Sequence, residues 1–364
     1  MRTRKTLRAF GSWPAAVAIL VIACSSQAAA SVITGLGDLG GGYSIAYGIN
    51  ASGQVVGQSI NASSQQDAFL YSGGVMQDLG TLGGNSSFAS GINDSGQVVG
   101  NSIIAGALPS DHAFLYSGGV MQDLGTLGGY ASAANGINAS GQVVGDSSDA
   151  SVDVHAFLYT GSIMQDLGTL GGNYSSASAI NASGQVVGYS LTAGGDYDAF
   201  LYSMGTMQDL GTLGGNFSEA AAINASGQIA GDSTTAGGAD HAFLYSGGTM
   251  QDLGTLGTTS IAFGINASGQ VVGFSQVTLT QQDAFLYSNG VMTDLNSLLP
   301  ANSGWILSNA TGINDSGQIV GVGTYNGQTQ AFLLDTSAPE PGTIALMIGG
   351  AGLIFAMRKR LLPR

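Results

Sequence analysis

Between Ser31 and Ala338 the chain contains no lysine and no arginine. All eight basic residues sit at the ends: Arg2, Arg4, Lys5 and Arg8, then Arg358, Lys359, Arg360 and Arg364. Of the 22 acidic residues only Glu340 lies outside that stretch, leaving 21 negative charges within it. Such a surface repels phosphate backbones, which excludes nucleic-acid binding; a basic partner or a divalent cation is attracted instead. Cysteine is nearly absent too. Cys24 stands alone, so no disulfide framework is available and stability must come from burial. Long apolar runs are missing from the middle of the chain and occur only near its ends, from Ala15 to Cys24 and from Thr343 to Met357.

The first run follows four basic residues and is followed by Ala28-Ala29-Ala30. Basic, apolar and small-residue regions in that order read as a secretory signal peptide over residues 1–30, cleaved between Ala30 and Ser31. Val21-Ile22-Ala23-Cys24 offers an alternative, a lipoprotein box that makes Cys24 a lipidated N-terminus. The second run is short for a hydrocarbon core of ~30 Å, is interrupted by Gly349-Gly350, and precedes a basic cluster. With basic residues outside both runs, the two ends are expected on the cytoplasmic side and the middle outside.

What is abundant is glycine, 60 residues, beside an ordinary apolar share of 44%. The glycines belong to a repeat. Ile-Asn-Ala-Ser-Gly-Gln-Val-Val-Gly starts at Ile49 and returns with its asparagine at Asn50, Asn93, Asn138, Asn181, Asn224, Asn266 and Asn314. Asn bonds its own backbone and Gly takes the left-handed closing position, so the motif is expected to be a type I turn with a glycine bulge between two strands. The Asn-x-Ser spelling also fits a glycosylation acceptor, but turn geometry already explains these residues.

One full unit, residues 177–215, is expected to hold four short strands: one ending at Ile180, then Gln185 to Ser190, Ala199 to Ser203, and Thr206 to Leu210. Gly73-Gly74, Met204-Gly205 and Asn289-Gly290 read as two-residue hairpins between the third and fourth. Apolar residues fall on consecutive positions, as in Ala-Phe-Leu-Tyr, which requires sheets covered on both faces. Four antiparallel strands every ~43 residues is the period of a propeller blade. Leu36-Gly37-Asp38-Leu39-Gly40 looks like a fourth strand with no third before it, and the last unit stops after its third strand, Ala331 to Asp335. A seven-bladed β-propeller over residues 31–338, closed by the N-terminal strand completing the last blade, follows as the expected fold, because such closure leaves no open edge.

Two resemblances add to this. Asp111-His112-Ala113-Phe114-Leu115-Tyr116, with its counterparts at His155 and His241, is similar to the HAF repeat of extracellular bacterial proteins, as are the Gln-Asp-Leu-Gly-Thr-Leu-Gly-Gly blocks. That family implies location and repeat architecture but no activity. Four units depart from it, with Asp67, Asp198, Asp283 or Gln330 in place of the histidine. At the C-terminus Pro339-Glu340-Pro341, the apolar run and Arg358-Lys359-Arg360 resemble the PEP-CTERM sorting signal, over residues 339–364. That resemblance implies export from a Gram-negative bacterium, an inner-membrane stage, processing by an exosortase after signal peptidase, and association with exopolysaccharide.

Candidate chemistry must lie where the repeat breaks, since identical blades give carboxylates identical environments whereas catalysis needs two different ones. Two breaks are single residues of their kind between 31 and 338, Glu219 and Trp305, and both are candidate ligand contacts, although a buried packing role is the leading reading of the tryptophan; a third is the insertion from Asn296 to Ser308. The histidines read as solvated residues at strand starts. The recurring Asp78, Asp123, Asp166, Asp209 and Asp294 read as caps on backbone amides. Acidic segments around Asp146, Asp149 and Asp153, Asp196 and Asp198, and Asp232 and Asp240 read as variable loops that could hold calcium, though without EF-hand spacing. No cofactor, catalytic residue or resident metal is expected. A non-enzymatic surface or matrix protein is the leading expectation, with a periplasmic membrane-anchored scaffold third after the enzyme reading that follows. A propeller glycosidase or lyase is the alternative, favoured if Glu219 or a loop aspartate faces the mouth of the central channel opposite a second carboxylate.

Overall fold

The computed structural model describes residues 31–106 and 110–336, all-β apart from one short 3-10 turn, Leu295–Leu298. The expected leader (residues 1–30), the sorting segment (339–364) and its apolar run lie outside the described residues. Among the described residues no helix is long and apolar enough to cross a membrane.

Each repeat folds into four antiparallel strands. Around Asn181 these are Gly171–Ile180, Val186–Thr192, Tyr197–Ser203 and Thr206–Asp209, hydrogen-bonded in that order. The turn joining the first two has the expected chemistry: the Gly184 N–H donates to the Asn181 carbonyl and the Asn181 N–H to that of Gln185, both at 3.0 Å, with Gly184 at φ +78°. Between the third and fourth strands, Met204 and Gly205 are both left-handed (φ +52° and +80°), as a type I′ hairpin requires.

The first three strand assignments differ from the sequence expectation. The first strand starts at the Gly-Gly pair rather than after it, ten residues in all, because the pair still reaches the second strand across a bulge, Gly171 opposite Thr192. The second strand runs two residues further, to Thr192, and the third starts two residues earlier, at Tyr197. Asp146, Asp149 and Asp232 therefore lie on second strands (Val143–Asp149 and Ile229–Thr235) and Asp198 and Asp240 on third strands, not in loops, while Asp153 and Asp196 stay between them. A second bulge, between Ala177 and Ala179, brings the first strand against the glycine of Val-Val-Gly. A Cβ on Gly188 would stand 2.0 Å from the Ser176 carbonyl oxygen, so only glycine fits.

The core lies between successive sheets. Val186 packs toward the preceding unit with Val144 and Ala156, while its neighbour Val187 packs toward the following one with Ile229 and Phe243. Consecutive apolar residues are thus buried on opposite faces, which is why the strands do not alternate with polar residues. Each unit also contributes one fully buried phenylalanine, Phe69 to Phe332. Each such side chain stabilises by ~1.5–3 kcal/mol.

The two ends of the array meet. Val32–Gly35 pairs antiparallel with Gln328–Asp335 and forms the outermost strand of the last sheet. The Leu36 N–H then donates to the Ala331 carbonyl (3.0 Å), as the Leu210 N–H does to Ala199 (2.9 Å). The strand is therefore Val32–Gly35, and Leu36 to Leu39, expected as the strand itself, is the connection into the first unit. Leu36, Ala46, Val55 and Phe69 share one buried cluster with Val320 and Ala331.

Candidate ligand site at the channel mouth

The repeated asparagine is buried in every copy, 3–6% exposed. Its carbonyl oxygen accepts the turn's own amides, in Asn181 those of Ser183 and Gln185. Its Nδ2 donates outside the unit, to the backbone carbonyl of the next asparagine. The series runs Asn50 to Asn93, Asn138, Asn181, Asn224, Asn266 and Asn314, at 3.0 to 3.3 Å, and Asn314 donates to Asn50 at 3.1 Å. Thr311 Oγ1 adds a bond to the Ala46 carbonyl at 2.8 Å.

These turns surround one end of an axial channel lined by the first strands. Isoleucines form a repeated collar beside them: Ile49, Ile92, Ile137, Ile180, Ile223 and Ile313, with Ile265 one step further in. The opposite end does not repeat. Counting back from the collar by two and by four residues gives Tyr47 and Ile45, Ser90 and Phe88, Asn135 and Ala133, Ser178 and Ser176, Ala221 and Glu219, Phe263 and Ile261, Thr311 and Asn309. The residue after Val-Val-Gly on each second strand is paired with the outermost of these and varies as widely: Gln58, Asn101, Asp146, Tyr189, Asp232, Phe274 and Val322. Residues at these positions from every unit but the third, with Glu219, Asn101 and Val322 among them, line a cavity of about 500 Å³; Asp146, Tyr189, Asp232 and Phe274 pair with the first strands without lining it themselves.

The mouth is two-sided. Tyr47 stacks with Phe88 (centroids 6.0 Å) and Phe263 packs on Phe274 (5.8 Å), with Ile45 and Val322 beside them. Facing these are the acidic third, fourth and fifth units. Asp146 accepts bonds from Ser176 Oγ (3.0 Å) and Asn135 Nδ2 (3.3 Å); burial raises its pKa and those bonds oppose the rise. Tyr174 and Tyr189 join hydroxyls at 3.1 Å. Burial raises the carboxyl of Glu219, and its cross-strand neighbour Asp232 is pushed up to about 8 by burial, then by Glu219 and Asp240.

Glu219 thus lines the channel mouth with a second carboxylate directly across the strand pair. Trp305 is elsewhere. It is 9% exposed, stacks on Tyr325 at 5.0 Å, meets Phe332 edge-on, and covers Gly35 where the N-terminal strand joins the last sheet. The insertion at Asn296 folds back on the same sheet, Asn296 bonding both backbone groups of Leu307.

The histidines are not simply solvated. Each Nδ1 pairs with the aspartate of its own fourth strand: His112 with Asp123, His155 with Asp166 and His241 with Asp252, at 2.8–2.9 Å. Those aspartates also cap backbone amides as expected, Asp166 Oδ1 accepting the Gly168 N–H at 2.7 Å. Where aspartate replaces the histidine, carboxylates face each other instead. Burial first, and then Asp78, Asp209 or Asp294, raises Asp67, Asp198 and Asp283. At the end of its second strand Asp149 closes the turn that follows by accepting the Ser151 and Asp153 amides. Among the described residues no three His, Cys, Asp or Glu side chains converge as a metal-ligand set.

These raised carboxyls set a pH dependence. A carboxyl whose folded pKa exceeds its unfolded value (~3.9) adds stability below that value and loses it as pH rises through the folded pKa. For Asp232 the loss spans about pH 4 to 8. Thermal melting is therefore expected to be highest near pH 4 and several degrees lower at pH 9. Asp232→Asn should flatten the curve and raise the value at pH 9, by scanning calorimetry across that range.

No protein-family model matches the sequence, and no curated protein does. Among solved structures the chain is similar to a puromycin hydrolase (TM-score 0.54, 12% identity, 82% of this chain and 53% of that one). It is also similar to a puromycin-hydrolyzing peptidase of Mycobacterium tuberculosis (0.51, 11%, 81% and 51%). A third is the extracellular domain of a one component system from B. thetaiotaomicron (0.50, 10%, 83% and 39%). The chain spans about half or less of the length of these proteins. At such identities the likeness is one of fold, and the fold is propeller-like.

Proposed function

We propose that this chain is an exported, non-enzymatic β-propeller of seven blades, closed between its ends, that binds a component of the extracellular matrix at the non-repeating mouth of its channel. Closure is supported by the pairing of Val32–Gly35 with the last sheet and by the return of the asparagine series from Asn314 to Asn50. The observation that carries the binding site is that the positions varying most between repeats gather around one cavity, while everything that repeats is used in strands, turns and core. Selection on the scaffold alone gives no reason for Tyr47, Phe88, Glu219 and Asp232 to differ from one blade to the next. The matrix assignment follows from the HAF and PEP-CTERM resemblances, with exopolysaccharide as partner.

The direct test is co-sedimentation of the secreted chain with exopolysaccharide from its producing cells. Soluble polysaccharide is expected to displace it. A chain that sediments equally from a strain making no polysaccharide contradicts the assignment. The sorting reading has its own test. Replacing Pro339-Glu340-Pro341 by alanines should leave folding intact and hold the protein at the inner membrane, whereas normal recovery outside the cell counts against it.

A glycosidase or lyase is the second reading, favoured by one observation: Glu219 at the mouth has Asp232 across the strand pair. Side chains so placed share a face, with Cβ atoms ~4.5–5.5 Å apart, and paired carboxylates ~5–5.5 Å apart serve retaining hydrolysis. Shortening of the polysaccharide by the purified chain, abolished by Glu219→Gln, would establish it over the binding reading.

A further inference from the structure

We infer that the channel mouth binds a protonated primary amine carried on a sugar ring, so that its ligand is an amine-bearing saccharide; this deepens the matrix reading above and rests on it. The carboxylates supply the first reason. Asp232 is 6% exposed, and its side chain has no hydrogen-bond partner among the described residues; nor has that of Glu219 beside it. Asp146, on the same channel-facing register, is by contrast held by Ser176 and Asn135. Along this register the unpartnered carboxyls are those of the fifth unit; away from it, on a third strand, Asp198 Oδ1 is also buried without a hydrogen bond. An ionised carboxylate without a partner is unfavourable there, and residues 31–338 hold no lysine or arginine to pair with it. A ligand that brings a cation supplies the counter-charge that lets the carboxyl ionise.

The rest of the mouth narrows the class. A divalent ion needs six or more oxygen ligands, and no third acidic or histidine side chain joins the pair as a metal set among the described residues. An ammonium needs only two or three acceptors. Across the cavity, the Tyr47–Phe88 and Phe263–Phe274 pairs offer the flat aromatic surface on which the C–H face of a sugar packs and toward which a cation is drawn. Around the same cavity Ser90 and Ser178 present hydroxyls, and Asn101 and Asn309, which also bond Asp111 and Gln282, keep the carbonyl oxygen of the first and the amino group of the second for sugar hydroxyls, which a bare lysine side chain would leave unused.

Binding is coupled to a proton. In the empty site the groups facing Asp232 are Glu219 and Asp240, with Tyr174, Tyr189 and Asp146 beyond Glu219, and none of them is cationic. Asp232 therefore holds its proton at neutral pH and releases it to solvent when an ammonium takes its place. The carboxylate–ammonium contact forms as the carboxyl O–H bond breaks.

The test is titration calorimetry of the full chain at pH 7 in two buffers of different ionisation heat, with glucosamine oligosaccharides, their N-acetylated counterparts, trilysine and calcium chloride. Glucosamine oligomers are expected to bind with proton release, and N-acetylated ones at least tenfold more weakly. Glu219→Gln and Asp232→Asn should each weaken the amine form at least tenfold, with cooperative melting showing that both variants fold. Equal affinity for acetylated oligomers, tighter binding of trilysine or calcium, or unaffected variants overturns the inference. If no oligomer binds while native exopolysaccharide still does, the amine assignment alone fails. If neither binds, the matrix reading fails with it.

Discussion

A chain lacking residues 32–40 is expected to melt at least ~10 °C below the intact protein, or not to fold at all. The deletion removes four residues paired with Gln328–Asp335, the Leu36 bond to Ala331, and a leucine 4% exposed at the junction of the first and last units. Burial of one leucine stabilises by ~1.5–3 kcal/mol and each backbone bond by ~1 kcal/mol net. The sum is ~5 kcal/mol before counting the exposed edge, and each kcal/mol moves a domain of this size by ~2–4 °C. Returning the same segment after Thr336 through a short glycine-serine linker should restore most of the loss, because the strand's place in the sheet matters and its place in the sequence does not. Unchanged melting of the deletion variant contradicts closure of the ring.

The second large effect is expected at the repeated asparagine. Asn181→Ala leaves the Ser183 and Gln185 amides and the Asn224 carbonyl without their partner in a site 4% exposed. Each group so stranded costs ~1–3 kcal/mol, for a total of ~3–9 kcal/mol. Asn181→Asp separates the two duties of the side chain. It keeps an oxygen for the turn amides but loses the donor and sets a carboxylate against the Asn224 carbonyl and Gln185 Oε1. A loss of at least ~2 kcal/mol in denaturant unfolding is expected for the aspartate variant. Wild-type stability there would reduce the series between units to an incidental contact.

Much of the scaffold was legible from spacing. The asparagine-glycine turns, the paired left-handed residues before each fourth strand and the consecutive apolar positions each have one physical solution, and the structure adopts it. The limits of the strands were less legible. Gly-Gly reads locally as a connection, and only pairing across a bulge makes it the start of a strand. The asparagine's bond to the next unit was invisible as well, since turn chemistry accounts for the residue and nothing in one repeat reveals its neighbour.

The candidate site is less legible in its place than in its kind. Glu219 stood out as a break in the repeat. Asp232 and Asp146 were assigned to variable loops, and the remaining variation was sought there. The signal was present one residue after each Val-Val-Gly, where Gln58, Asn101, Asp146, Tyr189, Asp232, Phe274 and Val322 share no chemistry. A position inside a strand that changes from charged to aromatic between repeats is not packing a common core. Trp305 was singled out for its rarity, and rarity marks the atypical last unit here, where a large ring covers Gly35.

The comparison that bears most directly on the site is between mouth and rim. Affinity for the producing cells' exopolysaccharide should be measured for Phe88→Ser and Phe263→Ser, and for a chain in which residues 193–196 are replaced by a glycine-serine turn. The two mouth variants are expected to bind at least tenfold more weakly and the rim variant unchanged. Loss of binding in the rim variant, with both mouth variants intact, would contradict the channel mouth as the binding surface.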